Sequence, residues 1–435
     1  MFSGEDKDEK ILMSLGLKQE RCFYYWVLAL GFAAGVLWIL LVRTEPVSDF
    51  KYYHRIATQI ANGGQWGDTY TTVGYPIFLA PFYWCFGASI WVAKALNLVL
   101  STINNLLVLH ILEKTGIRET LRQRTFVLYV LFPMNIYYNS MLASEILFTT
   151  LFLLGTYLYL TDINYKYVYI GLITGLNTMV KPYFPLFALA IILTDFLGHE
   201  KLWKSMKNGV VVLLVTGVII APWLYRNYKL IGEFTYVSNN AGIVLYINNN
   251  TQNKLSGWML AEDVENSVVN RPDYNLANST QKNIMLSRDA REWIMGHPRE
   301  FVCLGLKRLS KTFIQAGDID YAFQGSGLLP FLQVIMFRFS EFVRMPVFLG
   351  GVASIVIHTL LYSYLTVGNR LTKRSARFVL NFDGGKGRLF LIITFLMFAG
   401  VYFITEGQSR YAFPTVLSLC VYAVMGIEGV KKLRG

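Results

Sequence analysis

Six ionisable side chains near the ends of long apolar segments are the residues of this sequence best suited to chemistry. Asp49 follows the first apolar run, within Ser48-Asp49-Phe50-Lys51-Tyr52-Tyr53-His54-Arg55. The other five are Glu145, Lys181, Arg226, Glu406 and Arg410. Charge beside apolar segments of this length is expensive, so each group needs a partner or a task. Acids and bases that converge on one face predict a site where a carboxylate acts on an anionic ligand.

Each of these residues also has a simpler interpretation. Asp49 and Glu145 could be acids in the first turn of a helix, where they are favourable with the helix dipole. Lys181 could extend its ammonium to a polar surface while its stem stays among apolar groups. Arg410 could pair with Glu406 inside one short turn. A buried guanidinium is also the natural bidentate partner of a phosphate, so both interpretations stay open.

The remaining polar residues carry weaker signals. His54 and His297 have no second ligand at metal-binding spacing, so neither predicts a metal site. Lys94 lies within an apolar run near its end, and its ammonium is expected to extend to the surface. Six further acids are expected to be solvated loop residues: Asp68, Glu262, Asp263, Glu265, Asp318 and Asp320.

The composition is that of a polytopic helical membrane protein. The 435 residues are 54% hydrophobic and only 16% charged, with a mean hydropathy of +0.39. The net charge of +12 is concentrated in segments that alternate with poorly charged ones. These basic segments are Lys7 to Arg21, Lys114 to Arg124, Lys201 to Lys207, Arg370 to Arg388, and Lys431 to Arg434. They follow the positive-inside rule, so they indicate cytoplasmic loops beside a bilayer and no nucleic-acid partner.

Apolar runs of about 20 residues predict ten transmembrane helices. They lie near 24–42, 89–111, 124–138, 141–160, 168–181, 183–197, 209–225, 341–366, 389–405 and 412–429. The first run follows a charged segment and has no small-residue cleavage site after it, which indicates a retained span and not a signal peptide. Ten spans place both termini on the cytoplasmic side and the six ionisable residues on the extracytoplasmic side.

Two outer segments are too long to be simple connections. In the first, 43–88, Ser48 is expected to cap a helix that lies in the membrane interface with its apolar side toward lipid, and Gly63 and Gly64 end it. The second outer segment predicts amphipathic helices and Asn-rich turns.

The expected fold class is an all-α polytopic membrane protein of about ten transmembrane helices, with amphipathic interface helices and one long extracytoplasmic loop of mixed structure. Its expected parts are a cytoplasmic tail (1–23), an N-terminal transmembrane module (24–225) with the first outer loop 43–88, the extracytoplasmic loop (226–340), and a C-terminal transmembrane module (341–435).

Several short segments share their order with a known group of enzymes. They are the Asp49 segment, Gly74-Tyr75-Pro76, Ser144-Glu145, Gly171-Leu172-x-x-Gly175-Leu176 with Lys181-Pro182, Ala221-Pro222-Trp223-Leu224-Tyr225-Arg226-Asn227-Tyr228, Glu292-Trp293-Ile294 with His297-Pro298 and Phe301, and Ser409-Arg410-Tyr411-x-x-Pro414. From about residue 24 onward the chain resembles the polytopic glycosyltransferases of the C-type superfamily. That group includes protein O-mannosyltransferases and the aminoarabinose transferase of lipid A, which use polyprenyl-monophosphate sugars as donors.

The resemblance implies roles for the six residues. Asp49 matches the acid of the first outer loop, which acts as general base; many members have two adjacent acids there, whereas Phe50 follows here. Lys181 and Arg410 match basic residues that bind the lipid phosphate, and Arg226 is expected to assist them. Lys181 stands where the pattern usually has arginine. Glu145 and Glu406 are expected to position groups; some members use a divalent cation, for which both, with Asp49, are candidate ligands.

The expected function is that of an integral membrane glycosyltransferase that moves a hexosyl or pentosyl group from a polyprenyl-monophosphate donor, with inversion, to a hydroxyl of a glycan, lipid or protein. The donor carries its own leaving group, so no cofactor is required. The alternative is a transporter or flippase of a lipid-linked glycan. Such proteins tend to have two related halves and charged, interrupted spans at mid-membrane, which this sequence lacks. A non-catalytic scaffold is a third interpretation, in which the outer charges are dispensable.

Overall fold

The computed structural model describes residues 5–367 and 385–434, and within them the side chains of residues 21–361 and 385–429. These ranges contain helices and no strand. The helices are α1 (Glu5–Leu41), α2 (Ser48–Ala61), α3 (Gly74–Phe86), α4 (Ile90–Lys114), α5 (Glu119–Val130), α6 (Pro133–Tyr137), α7 (Glu145–Leu160), α8 (Lys166–Val180), α9 (Leu186–Leu197), α10 (Leu202–Ile231), α11 (Ala241–Asn248), α12 (Pro272–Leu276), α13 (Ser279–Gly296), α14 (Pro298–Phe313), α15 (Asp320–Phe323), α16 (Pro330–Val367), α17 (Gly385–Ile404) and α18 (Val416–Arg434). Short 3-10 helices include Gly317–Ile319 and Ser409–Thr415.

Six of the described helices are long and apolar enough to cross a membrane. The apolar segments are Arg21–Leu41, Ile90–Lys114, Leu202–Ile231, Pro330–Leu361, Gly385–Ile404 and Ser409–Gly429. They coincide with six of the ten predicted spans. The described residues are therefore all-helical with six candidate spans, as expected of a polytopic membrane protein, while the multi-pass topology and the count of ten stay predictions.

The other four predicted spans correspond to shorter helices. Helices α7 and α9 are apolar but have only 16 and 12 residues. The predicted span 124–138 is divided, because α5 ends at Val130 and Pro133, which lacks a backbone N–H, starts α6. Of the predicted basic segment from Arg370 to Arg388, residues 370–384 lie outside the described residues. Helix α1 is continuous from Glu5, so no break marks the predicted boundary at residue 23.

Helix α2 has the predicted extent but not the predicted surroundings. It ends just before Gly63, whose φ of +74° suits glycine. Ser48 makes no capping hydrogen bond, since the N-cap position is Val47. The expectation that its apolar face points toward lipid is wrong. Phe50 and Tyr53 are buried because other elements of the protein cover that face.

Helix α8 packs closely against α10 and α7, and this packing places the end of α8 beside the start of α7. A Cβ atom on Gly171 would lie 2.6 Å from Val215, and one on Gly175 would lie 2.6 Å from Ile219. This pair of small residues, one helical turn apart, therefore lets α8 lie directly against α10. Helix α8 also packs against α7. Since α8 ends at Val180, the following residue, Lys181, comes to lie beside Glu145 at the start of α7.

The second outer segment is a small helical unit with its own apolar core. Tyr246, Val268 and Leu286 are among its buried members. The Asn-rich stretch that ends α11 is buried and not an open turn. Its Asn248 carbonyl and Asn249 side chain accept hydrogen bonds from the fully buried Arg308 at 2.7 and 3.1 Å. Burial lowers the pKa of the Arg308 guanidinium to about 10.

Candidate functional site

Asp49 and Arg410 form an ion pair. Asp49 lies in the first turn of α2, and Arg410 lies in the 3-10 helix between α17 and α18. Nη2 of Arg410 is 3.1 Å from Oδ2 of Asp49. The Asp49 side chain is 45% exposed, whereas that of Arg410 is 12% exposed. The carboxylate is therefore accessible from outside, while the guanidinium is enclosed.

Aromatic rings surround the Arg410 guanidinium. Its Cζ atom lies 5.9 Å from the ring centroids of both Phe50 and Tyr321 and 5.3 Å from that of Tyr411. Such faces attract a cation without supplying a counter-charge. The Nε atom has no hydrogen-bond partner among the described residues. Arg410 therefore keeps hydrogen-bonding capacity for an anion besides Asp49.

Glu145 and Lys181 form a second, more buried pair. Nζ of Lys181 is 3.3 Å from Oε1 of Glu145, and the two side chains are 18% and 3% exposed. The other oxygen, Oε2, has no hydrogen-bond partner in the described part of the chain. A buried carboxylate oxygen without a partner is rare in proteins. Glu145 therefore keeps an enclosed oxygen with unused hydrogen-bonding capacity.

Two tyrosines join the pairs into one site. The ring of Tyr411 is 5.7 Å from Nζ of Lys181 and 5.3 Å from Cζ of Arg410, so both cations contact the same ring. On the acidic side, Tyr53 is buried near both carboxylates. Burial, and then the charges of Asp49 and Glu145, raise the pKa of the Tyr53 hydroxyl well above its usual value. Tyr53 therefore stays a neutral hydrogen-bond donor.

Glu406 is close to this site but occupied. It accepts hydrogen bonds from Gln408 and from the Tyr411 hydroxyl, both at 2.7 Å. The alternative that it pairs with Arg410 is wrong, since the partner of Arg410 is Asp49. Glu406 instead fixes the ring that both cations contact.

Arg226 lies apart from the two ion pairs. It donates to the backbone carbonyls of Trp66, Gly67 and Asp68, and its guanidinium stacks 4.3 Å from the Trp223 ring. It therefore holds the loop after α2. Asp68, predicted as a solvated acid, is exposed and accepts a hydrogen bond of 3.1 Å from Tyr52 of α2. Burial, and then the charge and hydrogen bond of Asp68, raise the pKa of Tyr52 to about 12.

An apolar cavity of about 860 Å³ lies between α3, α7, α8 and α10. Its walls include Leu147 and Val180, which are close in sequence to Glu145 and Lys181. Ile77, Phe78, Leu151, Leu176 and Ile219 continue the apolar lining, and Arg226 lies at its edge. The charged site is thus next to a space suited to a hydrocarbon chain.

The carboxylates of the site do not fit a metal centre. The described residues contain no group of three or more His, Cys, Asp or Glu side chains able to hold a metal ion. Asp49 and Glu145 each already face a cation, and Glu406 faces two neutral donors. Oxygen-liganding metals need several converging carboxylate or carbonyl oxygens.

Sequence reasoning missed a third ion pair, next to this site. Asp318, predicted to be a solvated loop acid, is fully buried and lies 2.5 Å from Nη1 of Arg344. The signal was Arg344 itself, an arginine inside the apolar helix α16, where a charge needs a buried partner. Asp320, the neighbour of Asp318 in the prediction, lies at the start of α15.

Comparison with known proteins gives structural matches only. No model of a known protein family matches the chain, and no curated protein matches it by sequence. The oligosaccharyltransferase AglB from Archaeoglobus fulgidus, in complex with an inhibitory peptide and a dolichol-phosphate, matches 94% of this chain and 50% of its own, with 14% identity and a TM-score of 0.53. The apo form of the Archaeoglobus oligosaccharyltransferase gives 13% identity, 94% and 51% coverage, and a TM-score of 0.51.

ArnT from Cupriavidus metallidurans, bound to undecaprenyl phosphate, is a weaker match. It has 14% identity and a TM-score of 0.40, covering 94% of this chain and 78% of its own. A TM-score this low supports no argument about the fold. The chain spans about half the length of the archaeal oligosaccharyltransferases that it matches. At these identities the likeness concerns the fold alone: this chain shares the fold of the archaeal oligosaccharyltransferase AglB, which agrees with the resemblance found in the sequence.

Proposed function

We propose that this protein is an integral membrane glycosyltransferase that moves a sugar from a polyprenyl-monophosphate donor to an acceptor hydroxyl, with inversion at C1. The observation that carries the proposal is the pairing of two carboxylates with two cations around Tyr411. Such a site offers a base for a hydroxyl and positive charge for a phosphate in one place. The hexosyl or pentosyl group and the acceptor, whether glycan, lipid or protein, belong to the same proposal.

The lipid part of the donor has a matching space in the apolar cavity. Leu176 and Leu230, which line it, are 51% and 60% exposed, so the cavity is open toward the outer surface of the helices. A polyprenyl chain entering there reaches Leu147 and Val180, beside the cations that receive its phosphate. The dolichol-phosphate in the archaeal AglB structure supports a ligand of this class for the shared fold.

The proposed reaction is a single displacement. The acceptor oxygen attacks C1 as Asp49 takes its proton, and the bond between C1 and the phosphate oxygen breaks. The bonding electrons leave with the polyprenyl phosphate, which gains one negative charge. Proton removal by a positioned carboxylate typically accelerates such a step by about 10²–10⁴-fold. No oxidation or reduction takes place in this step, so no redox partner is needed.

Arg410 and Lys181 stabilise the charge that develops on the leaving phosphate. Both are largely enclosed, and electrostatic stabilisation is strongest where water is excluded. Glu145 positions the Lys181 ammonium, and Glu406 positions the Tyr411 ring. Arg226 orders the loop beside the cavity and adds positive charge near its edge, a supporting role next to Lys181 and Arg410.

The proposed orientation puts this site on the extracytoplasmic side and both termini in the cytoplasm. The basic segments Lys114 to Arg124 and Lys201 to Lys207 support it, since they lie at the ends of α4 and α10 that are remote from the site. In the proposed division of the chain, the segment 226–340 shapes the acceptor side.

The deciding experiment presents the purified protein, in lipid nanodiscs, with a panel of radiolabelled polyprenyl-phosphate sugars and with membrane extracts as acceptor source. Wild type is expected to transfer label, and Asp49→Asn to lose at least about a hundredfold in kcat. Asp68→Asn is the matched control, since Asp68 is an exposed acid 19 positions further along the same outer segment.

The outcomes separate the rival interpretations. Equal transfer by Asp49→Asn and wild type would remove Asp49 as the base. Movement of labelled donor across the bilayer without transfer would instead favour a flippase. A protein inert in both assays would favour a scaffold.

A further inference from the structure

We infer that Asp318 and Arg344 are positioning residues, a buried ion pair that fixes Arg410 where the donor phosphate binds. This inference rests on the proposed function, because it assigns the pair a task in phosphate binding. Its structural part, that the pair orders the segment carrying Arg410, is tested separately from activity.

The pair is enclosed and fully hydrogen-bonded on its acidic side. The Asp318 and Arg344 side chains are 0% and 1% exposed, and Nη1 of Arg344 is 2.5 Å from Oδ1 of Asp318. The other oxygen, Oδ2, accepts hydrogen bonds from the Tyr137 and Tyr138 hydroxyls at 2.7 and 3.1 Å. The carboxylate therefore holds three donors from two separate parts of the chain.

Arg344 connects this pair directly to the segment of Arg410. Its Nη2 atom donates to the Ser409 carbonyl at 2.8 Å and to the Thr312 carbonyl at 3.0 Å. Ser409 immediately precedes Arg410, so the guanidinium of Arg344 fixes the peptide unit from which the Arg410 side chain extends. A planar guanidinium can bind these three acceptors together, which a lysine cannot do in the same geometry.

Asp318 reaches Arg410 by a second route. Its short 3-10 helix, Gly317–Ile319, leads directly into α15 and Tyr321. The ring of Tyr321 contacts both the Arg410 guanidinium, at 5.9 Å, and the Phe50 ring, at 5.4 Å. The carboxylate thus anchors a ring that bounds the position of Arg410 and packs on the helix of Asp49.

Tyr138 provides a third connection. Its hydroxyl binds Asp318, and its ring packs 4.5 Å from the ring of Phe413 in the same 3-10 helix as Arg410. The segment 409–413 is therefore held at three places: the Ser409 carbonyl by Arg344, the Arg410 side chain by the Tyr321 ring, and the Phe413 ring by Tyr138. Tyr138 is hydrogen-bonded to Asp318, and Tyr321 follows Asp318 by three positions.

Stability alone does not account for this arrangement. Replacing a buried ion pair with apolar groups of similar volume is often neutral or stabilising, whereas removing one partner is strongly destabilising. A double substitution can therefore keep the fold while it removes the hydrogen bond to Ser409. The double variant Asp318→Asn with Arg344→Met removes the hydrogen bond to Ser409. The amide oxygen at position 318 can still accept hydrogen bonds from Tyr137 and Tyr138.

The chain offers a matched control in a second buried acid. Asp195 accepts hydrogen bonds from the Tyr159 and Tyr167 hydroxyls at 2.7 and 3.3 Å and pairs with Lys386 at 2.8 Å. It therefore has the same types of partner as Asp318. It lies near the end of α9 that is remote from Lys181, and so away from the proposed site.

The first test is hydrogen exchange of the full-length protein in nanodiscs. The double variant is expected to exchange faster than wild type in peptides that cover 405–415, with residues 186–208 unchanged. Asp195→Asn should instead speed exchange at 186–208 and leave 405–415 unchanged. Unchanged exchange at 405–415 in the double variant would overturn the inference, whatever the protein proves to catalyse.

The second test is donor kinetics. A shift of about 1 Å in a positioned group can lower a rate by about a hundredfold, so kcat/KM for the donor should fall about 10–100-fold in the double variant. Its melting temperature should fall less than that of a variant that keeps Asp318 charged, since it leaves no unpaired charge and only frees the carbonyls of Ser409 and Thr312. The single variant Arg344→Met should melt lower, because Asp318 is left without its cation. If the double variant regained wild-type turnover along with stability, the pair would be structural only.

Coupling to Arg410 completes the test. In an Arg410→Gln background the double variant should lower kcat/KM by less than about twofold, since its effect passes through Arg410. Asp195→Asn should have the same effect in both backgrounds. If the double variant lowered kcat/KM by the same factor in the Arg410→Gln background as in wild type, it would not act through the position of Arg410. If wild type transfers no sugar yet the exchange pattern changes as expected, the proposed function fails and the ordering of 409–413 stands.

Discussion

Arg410 places Nη2 3.1 Å from Oδ2 of Asp49, although 361 positions separate the two residues in the chain. Under the proposed function one is the ligand of the donor phosphate and the other is the base. A phosphate bound to Arg410 would therefore share the guanidinium with Asp49, which contacts only its Nη2 atom. The proposed base and the proposed phosphate ligand are thus held within one hydrogen bond of each other.

The two cations are predicted to determine affinity for the lipid phosphate. Charge-assisted hydrogen bonds contribute about 1.5–3 kcal/mol each, so Arg410→Gln and Lys181→Gln should each weaken product inhibition by polyprenyl phosphate by about tenfold or more. Acceptor KM should change little. The measurement is the inhibition constant of undecaprenyl phosphate in the transfer assay.

Lys229→Gln is the control for this prediction. Lys229 is an exposed cation near the same end of α10 as Arg226, where it contacts the Tyr225 ring. It should leave the inhibition constant unchanged. An Arg410→Gln protein that is inhibited as strongly as wild type would show that Arg410 does not bind the phosphate.

Glu145→Gln is predicted to destabilise the protein as well as impair transfer. The amide preserves the side-chain shape but leaves the largely enclosed ammonium of Lys181 with a neutral partner. Loss of one partner from a buried pair costs about 3–5 kcal/mol, and somewhat less here because Lys181 is partly exposed. The melting temperature in detergent measures the effect.

The exposed pair of Glu113 with His110 supplies the comparison. These side chains are 47% and 51% exposed, and an exposed pair contributes about 0–1 kcal/mol. Glu113→Gln should therefore barely change the melting temperature. Equal effects of the two substitutions would mean that Glu145 and Lys181 do not form a buried pair in the membrane-inserted protein.

The sequence predicted which charges lie together better than it predicted their partners. Asp49, Glu145, Lys181 and Arg410 were selected because ionisable groups beside apolar segments need a task, and they do lie together. The alternative partner for Arg410 was Glu406, the nearest acid in the turn. A contact with Asp49 depends on how α2 and the segment after α17 pack, which no local pattern encodes.

Burial of single loop residues was equally hard to predict. Asp318 and Asp320 share a short polar stretch, so their composition indicates two solvated acids, yet Asp318 is fully buried. Only Arg344, within an apolar helix, signals that a distant carboxylate must be enclosed with it. The apolar face of α2 was correctly identified, but its partners were not, because periodicity cannot distinguish lipid from the rings of Tyr75 and Tyr321.

Gly74→Ala is predicted to disturb the site through the backbone. A Cβ atom at Gly74 would lie 2.5 Å from the carbonyl carbon of Met179 and 2.7 Å from the amide nitrogen of Val180, so α3 and α8 would have to separate. Lys181 follows directly and would shift with α8. Donor kcat/KM should fall at least about tenfold, with a lower melting temperature.

Gly217→Ala tests whether that effect is specific. Nothing lies within 4 Å of a Cβ atom at Gly217 in α10, and alanine is favoured over glycine in a helix by up to about 1 kcal/mol. The variant should keep wild-type turnover and melt at the same or a higher temperature. If Gly74→Ala behaved like Gly217→Ala, close contact between α3 and α8 would not be needed to position Lys181.

His54 is predicted to make the protein less stable as the pH falls. The ring lies against Tyr83, with Nδ1 2.7 Å from its hydroxyl, and partial burial lowers the pKa of the imidazole below its ordinary 6.5. As the pH falls through 6.5 the unfolded chain therefore takes up a proton before the folded protein does, so the free energy of unfolding decreases, while above 6.5 the group has no effect. Between about pH 7.5 and 5.5 the melting temperature of wild type should drop more than that of His54→Gln. Tyr83→Phe keeps the imidazole and should retain a clear pH dependence despite losing the hydrogen bond. Parallel melting curves for wild type and His54→Gln would show that His54 has the same pKa in both states and is not in a desolvated position.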